Sequence, residues 1–266
     1  MMSVASRLVV LCLACVAQLA WAQAPASVWI EELTWTEVRD ALRAGHTTVI
    51  VPIGATEQNG PHMVLGKHNV RVHVLAERIA RELGNALVAP VIAYVPEGSI
   101  TPPAAHMRYA GTISISSEAF QKMLEGAARS FRQHGFRDIV LLGDHGGYQA
   151  DERAVAARLN REWASSGTRV HAVPEYYRVV ETEYVAALHR RGVSDAEIGT
   201  HAGLADTSLA LAVDPKLVRA DRLASATAGK DGVHGDPRRA TAELGQVGVD
   251  LIVARTVEAI RKATHR

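Results

Sequence analysis

The sequence has almost no cysteine and few aromatic residues, and its charges nearly balance. Its 266 residues include two Cys, three Phe, six Tyr and four Trp, and 29 Lys and Arg stand against 28 Asp and Glu. Little material is left for stacking nucleic-acid bases, and no basic cluster indicates a nucleic-acid or membrane-surface partner. The hydrophobic content of 48% is typical of a globular domain and excludes a disordered or coiled-coil chain.

The N-terminal segment has the features of a secretory signal. Arg7 precedes the apolar run Leu8–Ala20, and small residues at 20 and 22 form a cleavage site. The apolar run is too short for a stable membrane-spanning helix. We therefore predict a signal peptide over residues 1–22 and a single domain over residues 23–266, secreted or periplasmic and free of the membrane after cleavage. An uncleaved anchor is the alternative.

Both cysteines, Cys12 and Cys15, fall within the predicted signal. Their removal would leave the mature chain without disulfides, thiolate metal ligands or a cysteine nucleophile. The sequence also lacks the G-x-S-x-G, H-E-x-x-H, P-loop and G-x-G-x-x-G motifs, so serine-hydrolase, zincin, P-loop and dinucleotide-binding functions have no support. Any metal ion would have to be bound by His, Asp, Glu or Asn.

Apolar, β-branched runs that predict strands alternate with amphipathic stretches that predict helices. The predicted strands are 47–53, 86–91, 138–142 and 169–173, and the predicted helices are 36–44, 70–83, 118–134, 149–164 and 208–213. This alternation indicates βαβ units and an α/β fold with a mostly parallel sheet flanked by helices. Ligands of such folds bind at the carboxyl ends of the strands.

Two loops rich in chemically active side chains directly follow predicted strands. Residues 54–69 contain Glu57, His62 and His68, and residues 143–147 contain Asp144 and His145. Because parallel strands end at one edge of the sheet, we expect these side chains to converge. Two imidazoles and a carboxylate would bind Zn, Mn or Fe and leave positions for water and substrate. Bound water would then be ionised near neutral pH.

Glycine and histidine residues nearby suggest further roles. Gly146 and Gly147 would let a substrate approach the backbone closely. A histidine side chain has an ordinary pKa near neutrality, so His201 is predicted to suit proton transfer. Close to His201, Asp206 or Thr207 could serve as the N-terminal cap of a helix that starts at residue 208.

Taken in order, these motifs resemble the creatininase (creatinine amidohydrolase) family over nearly the whole mature chain. The matching segments are Glu32–Trp35, Val51–Gly54, Glu57–His62, Gly111–Ser114, Gly143–Gly147, His201–Gly203 and Asp206–Ser208. The resemblance implies a three-layer α/β/α fold, hydrolysis of a non-peptide C–N bond in a small molecule, and a homo-oligomer.

The resemblance also implies metal ligands, with three departures from the family pattern. Glu57 and His145 match ligands of the first metal ion. Asn59 and His68 stand where the family has a His and a bridging Asp, and Gly147 stands where creatininase has a Glu. Because a neutral imidazole cannot bridge two cations as a carboxylate does, we expect the second site to be lost or very weak. One divalent ion, Zn with Mn or Fe as alternatives, would be bound by Glu57, His68 and His145.

The remaining expected roles follow from the same comparison. His201 matches a family His that assists proton transfer, and Asp206 stands where the family has a Glu; both are predicted to be catalytic. Asn59, His62, Gly146 and Gly147 are predicted to contact the substrate. The expected function is metal-dependent hydrolysis of a small or cyclic amide. A lactone or formamide hydrolase and a non-catalytic periplasmic binding protein are the alternatives.

Overall fold

A four-stranded parallel sheet forms the centre of the computed structural model, which describes residues 25–264. The strands are β1 (Thr48–Ile53), β2 (Ala86–Val88), β3 (Asp138–Gly143) and β4 (Arg169–Ala172), in the order β2-β1-β3-β4. This confirms the predicted parallel sheet. The predicted signal peptide lies outside the described residues.

Ten α-helices accompany the sheet in the described part of the chain. They are α1 (Trp35–Arg43), α2 (Lys67–Leu83), α3 (Ser117–His134), α4 (Gln149–Glu162), α5 (Glu175–Glu181), α6 (Glu183–His189), α7 (Asp195–Ile198), α8 (Leu204–Val213), α9 (Ala220–Leu223) and α10 (Ala242–Thr264). Helix α3 begins after the capping hydroxyl of Ser116 and ends at Gly135. No helix within residues 25–264 combines the length and apolar character needed to cross a bilayer.

The helices cover both faces of the sheet because side chains alternate along each strand. In β1, Ile50 packs into a core with α2, α5, α6, α8 and α10, while Val49 and Val51 pack into a second core with α1, α3 and α4. The same alternation places Val140 and Leu141 of β3 on opposite faces. The result is the predicted α/β/α arrangement of layers.

The register of β1 and β3 sets two loops side by side. Ile53 pairs with Gly143 at the carboxyl ends of these strands. The hydroxyl of Tyr148 lies 2.8 Å from the carbonyl oxygens of both Ile53 and Gly54, and it accepts the His145 N–H at 3.1 Å. The loop after β1 and the loop after β3 are thereby fixed to each other, as expected for residues that share a site.

Two helices begin three and four residues earlier than predicted, and the shift affects candidate site residues. Helix α2 starts at Lys67 and not at residue 70, so His68 lies in its first turn. Helix α8 starts at Leu204, so Asp206 lies inside its first turn and does not cap it. The cap position of α8 is Gly203.

We expect close packing of α10 on α8 to depend on Gly245. A Cβ atom at this position would clash with the backbone carbonyl of Ser208. Gly245→Ala should therefore lower the free energy of unfolding by about 1–3 kcal/mol, the usual cost of overpacking. Urea denaturation measures this change.

Gly126→Ala is the matched control, since a Cβ atom at this exposed position in α3 meets no atom within 4 Å. It should leave stability unchanged or raise it by about 0.5–1 kcal/mol. Equal effects of the two substitutions would contradict the packing role of Gly245.

Candidate metal centre

Glu57 and His145 meet at the carboxyl edge of the sheet, as their positions after β1 and β3 predict. Glu57 is fully buried, and its Oε2 lies 3.4 Å from His145 Nε2. The His145 ring is also 5.2 Å from the His68 ring, measured between centroids. The structure thus brings all three predicted ligands together. Their role as the ligand set stays a prediction.

His68 differs from the other two because carboxylates already occupy both sides of its ring. Its Nε2 lies 2.8 Å from Glu57 Oε1, and its Nδ1 lies 2.8 Å from Asp144 Oδ2. In this arrangement the ring orients Glu57 by hydrogen bonding. A free lone pair toward a shared cation would require the Glu57 contact to open.

Two further residues enter the site from the segment between β2 and α3. Glu97 is 3% exposed, and His106 lies on the wall of the adjoining cavity. With Glu57 and His145 they form a cluster in which one ligand atom from each residue lies within 4.8 Å of the others. We refer to Glu57, Glu97, His106 and His145 as the four-residue cluster.

The segment that carries Glu97 is held in place by residues 111–114. Ser114 Oγ accepts the Glu97 N–H at 3.0 Å, and Thr112 Oγ1 accepts the Gln58 N–H at 3.1 Å. The Ile113 N–H donates to the Thr56 carbonyl at 2.9 Å. These bonds attach the segment to the loop after β1, which contains Glu57.

The geometry of the four-residue cluster fits a divalent cation. Glu57 Oε2 lies 3.1 Å from His106 Nε2, and Glu97 Oε1 lies 3.4 Å from His145 Nδ1. Glu57 Oε2 and both Glu97 oxygens are nevertheless buried without a donor aimed at them. One ligand atom from each residue lies within 4.8 Å of the others, and ligands about 2.1 Å from a tetrahedral zinc ion stand roughly 3.4 Å apart, so a small movement of the side chains would bring all four residues onto one ion.

The pKa values of the two carboxyl groups in the cluster also favour binding of a divalent cation. Burial, together with the charge of Glu57, raises the pKa of Glu97 to about 9. Burial opposes ionisation of Glu57, but the hydrogen bond with His68 and the charges of neighbouring side chains together outweigh it and keep the pKa of Glu57 far below its usual value. Without a cation, one proton must offset the second carboxylate, whereas a divalent ion would satisfy both.

Burial lowers the pKa of His145 to about 3 and also lowers that of His106. Both rings are therefore neutral at pH 7, and a neutral imidazole can donate a lone pair to a metal ion. Two carboxylates and two neutral imidazoles form a set of ligands that suits Zn, Mn or Fe.

A chain of buried ion pairs lies behind the cluster. Asp144 accepts from Arg71 Nε at 2.9 Å and from the Tyr176 hydroxyl at 2.7 Å. Arg71 Nη1 also reaches Asp206 Oδ1 at 3.3 Å, and Lys67 Nζ lies 2.9 Å from Asp206 Oδ2. Burial opposes ionisation of Asp144 and Asp206, but these cations keep both pKa values below the usual range.

The two residues predicted to be catalytic differ in what they can do. Asp206 accepts the Ala202 N–H at 3.0 Å and is ionised, so it is not a proton donor at neutral pH. His201 lies on the cavity wall, and burial lowers its pKa to about 4. A neutral His201 can accept a proton, so the geometry favours this residue for proton transfer.

The four residues predicted to contact substrate divide into two pairs. Gly146 and Gly147 line the cavity, so a substrate in the cavity could contact them as predicted. Asn59 and His62 are fully buried and do not line it. Asn59 donates to the carbonyls of Glu57 and Val64, and His62 Nε2 lies 3.0 Å from Thr207 Oγ1, so both residues stabilise the loop.

Sequence reasoning missed Glu97 and His106 because neither follows a predicted strand. They lie in the stretch 89–116, which the structure shows to contain only one short 3-10 helix, Ala105–Arg108. Long connections within compact domains are commonly functional, and this length was the available signal. Gln58 links the segment to the rest of the site, since its Nε2 lies 3.0 Å from ring nitrogens of both His106 and His201.

A cavity of about 990 Å³ opens beside the cluster. His106, His145, His201 and His234 line it together with the glycines of the loop after β3.

A family model described as creatinine amidohydrolase matches residues 31–260. The chain belongs to the creatininase family.

Known creatininase-family proteins resemble the chain over most of its length. A creatinine amidohydrolase from Pseudomonas putida is 25% identical over 255 residues, covering 89% of this chain and 97% of that protein. A mycofactocin precursor peptide peptidase from Mycobacterium tuberculosis is 30% identical over 211 residues, covering 75% and 78%. A solved mutant creatininase described as the Zn-Zn type aligns with a TM-score of 0.73 at 26% identity, covering 90% and 99%. The chain is thus a creatininase-family hydrolase with a candidate metal centre.

Metal analysis of substituted proteins will separate the two ligand sets. We expect about one divalent ion per chain, lost in Glu57→Ala and His145→Ala whichever set is correct. If the four-residue cluster binds the ion, Glu97→Gln and His106→Ala should also lose it, while His68→Ala should retain it with weaker affinity. Elemental analysis after dialysis measures the content.

The opposite pattern, with loss in His68→Ala and retention in Glu97→Gln, would establish Glu57, His68 and His145 as the ligands. Glu152→Gln is the matched control, because Glu152 is buried outside the cluster and should not affect metal content. Two tightly bound ions per chain would contradict the expected loss of the second site.

The stability of the metal-free protein should fall as pH rises from 7 to 9. Burial raises the pKa of Glu97 to about 9 and that of Glu152 to about 8, so the folded state holds protons that the unfolded chain has already lost. Each retained proton contributes a slope of about 1.4 kcal/mol per pH unit. Glu97→Gln and Glu152→Gln should each reduce the slope measured by urea denaturation of chelator-treated protein. An unchanged slope in Glu97→Gln would rule out the protonated Glu97.

Proposed function

We propose that the protein is a metal-dependent hydrolase of a small or cyclic amide. The observation that carries the proposal is the four-residue cluster, in which three buried carboxylate oxygens have no hydrogen-bond partner and both histidines line a cavity of about 990 Å³. Family membership supports hydrolysis, and the named relatives act on creatinine and on a precursor peptide.

Glu57, Glu97, His106 and His145 would hold one divalent ion, Zn with Mn or Fe as alternatives. Such an ion, when bound, lowers the pKa of water toward 7 and polarises a carbonyl group. A single ion is expected because Asn59, His68 and Gly147 replace residues that bind the second ion in creatininase. His68 would support the centre by holding the Glu57 carboxylate in one orientation.

The chain supplies proton transfer and space for the substrate. His201 is neutral and faces the cavity, so it would take a proton from water and pass it to the leaving nitrogen. This step matters most for amides, because an amine leaves poorly without a proton. Gly146 and Gly147 would let the substrate lie close to the backbone beside His145.

We also propose export and self-association. Residues 1–22 would direct the chain to the periplasm or outside the cell, and the mature domain would form a homo-oligomer, by resemblance to the family. Purified protein from the extracellular or periplasmic fraction should begin at Gln23, which N-terminal sequencing would reveal.

A substrate screen tests the proposed reaction. Metal-loaded protein should hydrolyse the C–N bond of at least one cyclic or other small non-peptide amide, and lactones, formamides and short peptides are screened beside these compounds. Chelation should abolish the hydrolysis and Zn or Mn should restore it. His201→Ala should lower kcat by about 100-fold or more at unchanged metal content, because general acid-base catalysis is removed.

Three results would redirect the proposal. Turnover of lactones or formamides alone would assign another carbonyl class to the same centre, and turnover of peptides alone would exclude the non-peptide specificity. Binding of a compound without any turnover would establish a periplasmic binding protein.

A further inference from the structure

Lys67 is a fully buried lysine that the proposed reaction has not yet used. It is the first residue of α2, its side chain is 1% exposed, and it reaches the wall of the main cavity. Lysine is almost never fully buried unless it is paired, because removing an ammonium group from water is costly. We therefore expect a negatively charged or hydrogen-bonding partner for its ammonium group.

Within residues 25–264, Lys67 has one ionic partner, and the N–H groups of its ammonium make no hydrogen bond. Nζ lies 2.9 Å from Asp206 Oδ2, but this contact lacks hydrogen-bond geometry, and Nζ has no hydrogen-bond partner. Asp206 itself is satisfied by the Ala202 N–H and by Arg71. An ammonium group has three N–H donors, so Lys67 has spare capacity at the cavity wall.

Lys67 lines the same cavity as residues from both parts of the site. His106 and His145 of the four-residue cluster line this cavity, and so does His201. The ammonium group therefore faces the space that adjoins both the candidate metal centre and the residue favoured for proton transfer. An oxygen atom between these groups would also be near Nζ.

Resting on the proposed hydrolase function, we propose that the Lys67 ammonium binds the substrate carbonyl oxygen as that oxygen gains negative charge. Lys67 would then be a catalytic residue. In two-metal hydrolases a second cation stabilises such charge. This chain has lost residues of the second metal site and instead buries a fixed positive charge beside the cluster.

The step balances without an additional reactant. The water oxygen bonds to the carbonyl carbon, the π electron pair moves to the carbonyl oxygen, and that oxygen accepts a hydrogen bond from Nζ. When the pair returns, the C–N bond breaks and the nitrogen keeps its electrons. The nitrogen receives the proton that His201 took from water, which gives an amine and a carboxylic acid.

Binding of inorganic phosphate to the metal-loaded protein tests this role without a known substrate. Phosphate is a tetrahedral oxyanion and should bind in place of the charged oxygen, as measured by titration calorimetry. Lys67→Met should weaken binding at least tenfold, and Lys67→Arg should recover part of it. Arg108→Met is the matched control, because it removes an exposed charge from the same cavity and should change affinity less than twofold.

Metal content and thermal stability of each variant separate catalysis from structure. Lys67→Met should keep the metal content of the wild type, since Lys67 is not a ligand. With any substrate found in the screen, it should lower kcat about 100-fold or more with KM changed only a few-fold, as expected for loss of an oxyanion-stabilising donor.

The proposal is overturned if the wild type does not bind phosphate, if Lys67→Met binds it equally well, or if Lys67→Met loses the metal ion. The last result would show that Lys67 acts through Asp206 as a structural residue. Failure of the proposed hydrolase function would look different: no substrate would be turned over, yet the contrast in phosphate affinity would remain.

Discussion

The site depends on one imidazole wedged between two buried carboxylates. His68 contacts Glu57, from the loop after β1, and Asp144, from the loop after β3, at 2.8 Å on either side of its ring. Asp144 then continues through Arg71 to Asp206 and Lys67 in a row of alternating charges. Removing one member of a fully buried ion pair such as Arg71–Asp144 commonly costs about 3–5 kcal/mol.

This row explains why the fold can keep so many ionisable groups away from water. Helix α2 supplies Lys67, His68 and Arg71 from its first two turns, so a single rigid element carries the nitrogen atoms that contact these carboxylates. The carboxylates come from separate elements, namely the two strand-end loops and α8. Helix α2 therefore sets the distance between β1, β3 and α8 at the edge where the cavity opens.

Much of the fold could be predicted from the sequence because its signals are local. The apolar runs at 47–53 and 138–142 became β1 and β3, and Gly135 ended α3 as expected. Helix α10 was not predicted. Gly245 and Gly248 lower its intrinsic helix propensity, and their benefit, close approach to α8, exists only in the folded protein.

The site was predictable only where it follows strands. Glu57 and His145 could be located from the rule that parallel strands end together, whereas Glu97 and His106 depend on an irregular segment fixed by tertiary hydrogen bonds. The start of α8 was misjudged for a related reason. Asp206 has the sequence signature of a cap, but in the structure its carboxylate is committed to Arg71, Lys67 and the Ala202 N–H.

The four-residue cluster offers only oxygen and nitrogen ligand atoms, and this determines which foreign metal ions can compete for the site. Soft ions such as Cu(I) depend on sulfur ligands for their tightest binding, and the cluster contains no sulfur. It also has no group that hydrogen peroxide converts to a sulfenic acid or a disulfide. A centre of this composition stays chemically intact under oxidising conditions that inactivate thiolate-based metal sites.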